Sequence, residues 1–318
     1  MATQLKPPVK CRARTAGFLM AGLLLAGCMQ TGETPQFDTE SPAAQSSSQA
    51  VNASSKHLQP AGQEFNGAAA ASYVDTLVQG IAAKLAGPEM SEYDKAKAAF
   101  DYMIEHTVLD EPIGLEIWRI HGGGEVPIPY LEQRAISPLQ YGAGMCEDYA
   151  AALTLLLQGM GLEARYVPGL TYSAEGNLVD HAWTAVRIDG VWYHLDSQLE
   201  DNISRRKTIR YRYFLKSDAT MAASHRWGER LIASGLLTEA QNAEIAESWL
   251  IPTCPADYPP PERRVLSDAP PPDTDALRRE AAAEIAAYEA ENGPLTRMEL
   301  NTAPPVFGLD GFGPPNEG

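Results

Sequence analysis

Two strand-like runs, residues 181–188 and 191–197, flank the dipeptide Asp189-Gly190, and they constrain this chain more than any other feature. Asp-Gly favours the two-residue type I′ turn, whose central residues both need positive φ. A turn of that length fixes the register. Ile188 pairs with Val191, Trp183 stands opposite Asp196, and His181 stands opposite Gln198. Side chains two apart share a face, so His181, Trp183, His194 and Asp196 lie on one side of the hairpin. Ala182, Val186, Ile188, Val191, Tyr193 and Leu195 lie on the other, which suits a core. Asp196 becomes the diagonal neighbour of His181, roughly 7–8 Å away between backbones. A carboxylate there can orient an imidazole, and a one-residue slip would destroy the pair.

A nucleophile candidate comes from an earlier segment. The apolar positions Tyr149, Ala150, Leu153, Leu156, Leu157 and Met160 recur at helical spacing. The spacing predicts a helix from about Cys146 to Met160, with Gly142 and Gly144 before it and Gly159 and Gly161 at its end. Cys146 then stands at a helix N-terminus, where free N–H groups and the positive dipole end favour an anionic sulfur. Taken alone, this segment is explained equally well by a small buried residue packing the helix start.

Other elements follow from the same rules. Val74, Leu77, Val78, Ile81 and Leu85 predict a helix near 70–86, stopped by Gly87-Pro88. Ser91 and Asp94 form an N-cap pair for a second helix carrying Ala96, Phe100, Met103 and Ile104. Residues 107–139 hold four prolines and Gly122-Gly123-Gly124, and read as loop with short turns. Residues 163–171 and 208–215 read as strands. Thr238 with Gln241 reads as a capping box for a helix ending near Trp249.

A thiol, an imidazole and a carboxylate together meet the needs of acyl transfer. His181 takes the thiol proton, Asp196 holds the useful tautomer, and the thiolate attacks a carboxamide carbon to give a thioester. Backbone N–H groups near Cys146 are candidates to receive the oxyanion. Gln140 is a weaker candidate for a second donor, and a loop glutamine facing water is the plainer account of it. His194 reads as a structural neighbour of the pair. His121 and His225 read as ordinary. No ligand spacing supports a metal site, and nothing calls for a cofactor.

Three blocks carry a family resemblance: Tyr141-Gly-Ala-Gly-Met-Cys146-Glu-Asp-Tyr-Ala, then Gly161-Leu-Glu-Ala-Arg-Tyr-Val-Pro-Gly169, then His181-Ala-Trp-Thr-Ala-Val-Arg-Ile-Asp-Gly-Val-Trp-Tyr-His-Leu-Asp196. In this order they resemble the transglutaminase-like superfamily over about 137–200. Weaker likeness extends to 91–110 and to 209–227, where Tyr213-Phe-Leu-Lys-Ser-Asp218 and His225-Arg-Trp227 resemble a region that often follows in bacterial members. The resemblance implies an α+β, papain-like fold. A nucleophile helix packs on an antiparallel sheet, with extra helices before it. It implies Cys146 as nucleophile, His181 as base and Asp196 as orienter. Ser197 stands where the family commonly has proline, which should alter the strand end rather than the chemistry. The activity implied is a cysteine hydrolase cutting peptide or amide bonds, with a protein or peptide, such as cell-envelope material, as substrate. Cross-linking by transfer of glutamine acyl groups to amines uses the same residues. A non-catalytic binding module on this fold is the third reading, against which the intact set of three residues argues.

The N-terminus reads as an export signal. Lys6, Lys10, Arg12 and Arg14 precede an uncharged run from Ala16 to Gly27, which is short for a membrane span. Leu25-Ala26-Gly27-Cys28 resembles the lipobox of bacterial lipoproteins. That implies cleavage before Cys28 and its acylation, including palmitate, which would make an extracytoplasmic, membrane-anchored protein. Residues 1–27 are thus expected as signal, 28–65 as a Ser- and Gln-rich disordered tether, 66–255 as the domain, and 256–318 as a Pro- and Ala-rich appendage with one helix over 274–291. About 190 residues suffice for one substantial core. The formal net charge of −16 deepens to −20 without the four basic residues of 1–27. That argues against nucleic acid as partner, since phosphate binding needs a basic face. Cys146 and Cys254 alone remain in the folded region, free either to pair in an oxidising compartment or to stand as one reactive thiol and one spare.

Overall fold

The computed structural model describes residues 72–117, 120, 129–173, 176–233, 235–268 and 270–295. The expected signal, Cys28, the tether, His121, Gly122-Gly123-Gly124 and the C-terminal tail beyond 295 lie outside the described residues. Among the described residues no helix is long and apolar enough to cross a membrane.

Two helices open the domain. α1 (Tyr73–Leu85) begins with a capping box between Ser72 and Asp75. α2 (Glu92–His106) begins where expected, with the Ser91 hydroxyl accepting from the Asp94 amide at 3.1 Å. β1 (Val108–Leu109) follows. α3 (Tyr130–Tyr141) corrects the reading of 107–139 as loop throughout. Pro138 lies inside it, but within the last turn, where it removes one backbone bond at most. Leu131, Ala135, Ile136 and Leu139 bury a full face, and that outweighs the loss. Gly142 caps α3 at φ +68, a left-handed conformation that glycine adopts without strain.

β2 (Ala143–Gly144) pairs in parallel with β1, Leu109 against Gly144. This two-residue ladder sets the turn from which α4 (Cys146–Gly159) starts. β3 (Ala164–Tyr172), β4 (Leu178–Ile188) and β5 (Val191–Leu195) are antiparallel neighbours. The hairpin has the expected register, Ile188 with Val191 and Thr184 with Leu195, and Asp189 and Gly190 both have positive φ. The strand ends at Leu195, short of the expected 197. Asp196 instead caps α5 (Ser197–Ser204), so His181 has no strand partner at Gln198. Ser197 occupies the first helical position, one that proline also favours, which explains why either residue serves there.

β6 (Thr208–Ile209) is all that forms of the strand expected over 208–215. The amides of Arg210, Tyr211 and Tyr213 donate instead to the buried Glu200 carboxylate, and Tyr211 and Leu215 have positive φ. Alternation alone could not reveal an acidic side chain taking the place of a neighbouring strand. α6 (Asp218–Met221) leads to β7 (His225–Arg226), which adds a fourth strand beside β3 and gives the order β5-β4-β3-β7. α7 (Glu229–Ala233) and α8 (Glu239–Trp249) follow, the latter with the expected Thr238–Gln241 capping box.

The main core lies between one sheet face and the helices α1, α2 and α4. It holds Phe100, Met103 and Ile104 from α2, Leu153, Leu156 and Leu157 from α4, and Ala182, Val186, Tyr193 and Leu195 from the hairpin. The opposite sheet face has its own smaller cluster of Val167, Trp183, Ala185, Met221 and Trp227. Most described residues of the expected 256–318 appendage are exposed, but a few tie it to the domain. β8 (Arg264–Val265) pairs with β6, Leu266 joins the main core, and Arg264 bridges Asp101 at 2.7 Å. α9 (Thr274–Asn292) buries Ala281 and Ile285 against Ile113, Ile117 and Tyr141. The apolar residues that tie this segment down are few and widely spaced, so composition hides them.

Candidate active site

Cys146 is the first residue of α4. The amides of Cys146 and Glu147 are at the first turn, where no intrahelical acceptor exists. The turn before them is tightly built. The Asp148 carboxylate accepts from the Met145 amide at 2.8 Å, and a Cβ on Gly144 would stand 2.7 Å from that of Asp148. Asp148 also bonds Arg134 of α3 at 3.2 Å, and Arg134 reaches Glu147 at 3.4 Å. Burial raises the Asp148 carboxyl to about 6 although the Arg134 guanidinium opposes it.

β5 stops pairing with β4 at Thr184, so the stretch of β4 from Leu178 to Trp183 has no β5 residue opposite it. Cys146 meets β4 there: its Sγ lies 3.9 Å from the Asp180 carbonyl oxygen. The next residue is His181, 3% exposed, which hydrogen-bonds Cys146. On its other side, His181 Nε2 lies 2.6 Å from Asp196 Oδ2. The three residues read from the sequence are therefore in contact in series, Cys146 to His181 to Asp196. Cys146 is partly exposed, whereas both partners are buried.

The electrostatics follow from that geometry. Burial pulls the His181 imidazolium down, but the Asp196 carboxylate and the Cys146 sulfur overturn this and raise it to about 10. Burial would likewise push Asp196 up, but His181 and then His225 hold its carboxyl well below the usual range. Asp196 is thus an anion with both oxygens engaged. Oδ1 accepts from the Leu199 amide at 2.9 Å, as the N-cap of α5.

His225 is the residue that sequence reasoning missed. Its Nε2 lies 2.9 Å from the same Asp196 Oδ2 that holds His181, and it is 0% exposed. The sequence signal was the His225-Arg-Trp227 stretch, but nothing in it announced a contact with Asp196, 29 residues earlier. His194 does stand on the shared face as a neighbour. Trp183 Nε1 donates to its Nδ1 at 3.0 Å, and its Nε2 reaches Asp218 at 2.9 Å. Gly169, paired with His181, leaves room for the Trp183 ring, which a Cβ there would meet at 2.5 Å. Gln140 lies on the last turn of α3 and is exposed, and no hydrogen bond joins it to Cys146 among the described residues. Tyr166 is close to Cys146. Burial, Tyr130, Glu147 and Cys146 all push its phenol up, so it remains a hydrogen-bond donor.

Among the described residues, two clusters have ligating atoms close enough for a metal ion, His181-Asp196-His225 and His194-Asp218-Cys254. In the second, Nδ1 accepts from Trp183, so Nε2 carries the proton and presents no lone pair toward Cys254. In the first, Asp196 already accepts from both rings. Both donor sets are closed by hydrogen bonds in this structure.

Residues 79–197 match the family model of the transglutaminase-like superfamily. No curated protein matches the chain. Among solved structures, a TGase shares 25% identity over 39% of this chain and 31% of its own, with a TM-score of 0.28. A protein from Cytophaga hutchinsonii provisionally named a cysteine protease shares 21% over 39% of this chain and 37% of its own, with a TM-score of 0.30. An arylamine N-acetyltransferase from Bacillus cereus, described with a Cys-His-Glu catalytic triad, shares 15% over 41% of this chain and 50% of its own, with a TM-score of 0.28. The chain thus spans half or less of the length of each. The helix α4 and the hairpin that carry Cys146, His181 and Asp196 thus lie within the stretch that is similar to the transglutaminase-like superfamily.

Proposed function

We propose that the protein is a cysteine hydrolase of peptide or amide bonds. The observation that carries this reading is the series of contacts from Cys146, at the free amides of α4, through His181 to the buried Asp196. In the first step the Cys146 thiolate attacks the carboxamide carbon. The oxyanion forms against the Cys146 and Glu147 amides. His181 then gives its proton to the leaving nitrogen, the C–N bond breaks, and an amine departs from a thioester on Cys146. In the second step His181 takes a proton from water as the oxygen attacks the thioester, the C–S bond breaks, and the carboxylic acid leaves as the thiolate and the protonated His181 are restored. Water as acceptor is favoured by the partial exposure of Cys146 and by the exposed neighbours Met145 and Asp180.

We further propose that Cys28 carries the lipid anchor and that the domain works on protein or peptide material outside the cytoplasm. The test of anchoring is partition of the full chain into the membrane fraction, with Cys28→Ser moving it to the soluble fraction. The test of chemistry is incubation of wild type and Cys146→Ala with peptide mixtures and with casein plus dansylcadaverine, read by mass spectrometry. Hydrolysis predicts new carboxyl termini or glutamine deamidation that depend on Cys146. Dansylcadaverine incorporation in their place would make the protein a transamidase. Products equal in both proteins would overturn the enzyme reading.

A further inference from the structure

The Asp196 carboxylate receives two imidazoles on one oxygen, and only one of them is needed to make a Cys-His-Asp series. The chain commits a strand to the second. β7 is two residues long, pairs Thr171 with His225 at the open edge of β3, and is tied by the Thr171 hydroxyl donating to the Ser224 carbonyl at 3.0 Å. That strand places His225 Nε2 2.9 Å from Asp196 Oδ2. We infer that His225 is a positioning residue of the Cys146 site, a second imidazole that fixes the Asp196 carboxylate so that His181 meets the thiol in one orientation. The inference rests on the nucleophilic reading of Cys146 given above.

The protonation of the cluster follows from its donors and acceptors. An ionised Asp196 accepts only, so both His181 and His225 donate to it from Nε2. His225 then accepts at Nδ1, and the Ser224 hydroxyl, 2.9 Å away, is the donor. The groups facing His225 are Asp196 from the β5–α5 junction, His181 and Trp183 from β4, His194 from β5 and Tyr213 from the segment before α6. One anion and one imidazolium already balance in this pocket. Burial opposes a charge on His225, Asp196 favours one, and the His181 imidazolium opposes it again, with the balance below the ordinary value. The ring is thus a neutral donor, fixed edge-on to Trp183 at 4.7 Å.

A histidine that merely filled space would be satisfied by any acceptor. This one shares its acceptor atom with His181. Oδ2 must therefore sit where both rings reach it, while Oδ1 stays on the Leu199 amide. Three donors from three elements leave the carboxylate no rotation. Removing His225 frees a lone pair on Oδ2 and loosens the plane that aligns His181 with Cys146.

The test uses the full chain with iodoacetamide as probe, following Cys146 alkylation from pH 5 to 10 by mass spectrometry. Imidazole N–H resonances are read in parallel by proton NMR. The expected result for His225→Leu is a Cys146 rate at pH 7 lower by roughly ten- to a hundredfold, the worth of one hydrogen bond to a charged group, with a displaced pH midpoint. His225→Gln, whose amide N–H reaches toward the same oxygen, recovers most of the rate. Where His225→Leu does not fold, Ser224→Ala frees the ring to flip tautomer and should displace the midpoint in the same direction. Wild-type rates and midpoints in His225→Leu and His225→Gln would overturn the inference, as would a loss that follows the unfolded fraction without moving the profile. If wild-type Cys146 reacts only as an ordinary thiol, the hydrolase reading fails and the NMR arm decides the positioning role. A His181 N–H resonance displaced in His225→Leu supports the role, and one left in place overturns it.

Discussion

Among the described residues, two sets of cysteine, histidine and aspartate gather around the hairpin histidines, and they differ in everything but composition. One is Cys146, His181 and Asp196. The other is Cys254, His194 and Asp218, whose ligating atoms lie within 4.8 Å of one another. Cys146 is partly exposed at a helix N-terminus, whereas Cys254 is 1% exposed in a segment without regular structure. Burial, and then the Asp218 carboxylate, push the Cys254 thiol far up. The imidazoles differ more. His181 has one nitrogen on the aspartate and the other on the thiol. His194 has one on Asp218 and spends the other on the Trp183 N–H. With Nδ1 accepting, its Nε2 proton is committed, and burial keeps the ring neutral. The same three residue types thus make two arrangements, and only the first has an imidazole nitrogen facing the sulfur, an ordered anion behind it and an opening to solvent.

The comparison can be broken by exchanging the orienting carboxylates. Asp196→Asn should lower amide turnover by about 10³–10⁴, as for a triad whose imidazole is held in the wrong tautomer. Asp218→Asn should change turnover by less than about threefold, since surface-side changes away from the chemistry are small. Equal losses from both would show that the second cluster takes part.

Titration sharpens the same contrast. The folded value of His181 is raised, so its stabilising contribution is whole below about 6.5 and is lost as pH rises toward about 10. The folded value of Asp196 is lowered, so its contribution is present above about 4 and is lost as pH falls. Thermal melts should therefore show the pair's contribution greatest between about pH 4 and 6.5. The difference between wild type and His181→Ala should shrink on both sides of that window. A difference independent of pH would mean that the two groups are not coupled.

Trp183→Phe removes the N–H that commits His194. It should cost about 1–3 kcal/mol for the acceptor left unsatisfied, read as a lower Tm. Cys254→Ala should be the mildest change, about 1 kcal/mol of stability, with Cys146 reactivity unaltered. A large effect on Cys146 from Cys254→Ala would tie the two thiols together.

What was legible in the sequence was whatever local chemistry fixes alone. Asp189-Gly190 set the register, the stripe from Tyr149 to Met160 set the helix that begins at Cys146, and Ser91 and Thr238 marked helix starts. What was hidden depends on contacts distant in sequence. α3 forms despite Pro138 because its apolar face is buried and Arg134 has acidic partners on α4. The 208–215 run fails as a strand because Glu200, on a helix the pattern did not show, takes its amides. His225 looked ordinary because its partner Asp196 is brought to it only by the fold of β7 onto β3.

The most direct measurement is the alkylation rate of Cys146 against Cys254 with iodoacetamide, from pH 5 to 9, in wild type and His181→Ala. The account predicts that Cys146 reacts at least about a hundredfold faster than Cys254 at pH 7, because each unit by which a thiol is pushed up costs it a factor of ten in thiolate. It also predicts that Cys146 stays reactive below pH 7 and that His181→Ala removes most of this advantage. A slow Cys146 that titrates as a free thiol and ignores the His181 substitution would contradict it.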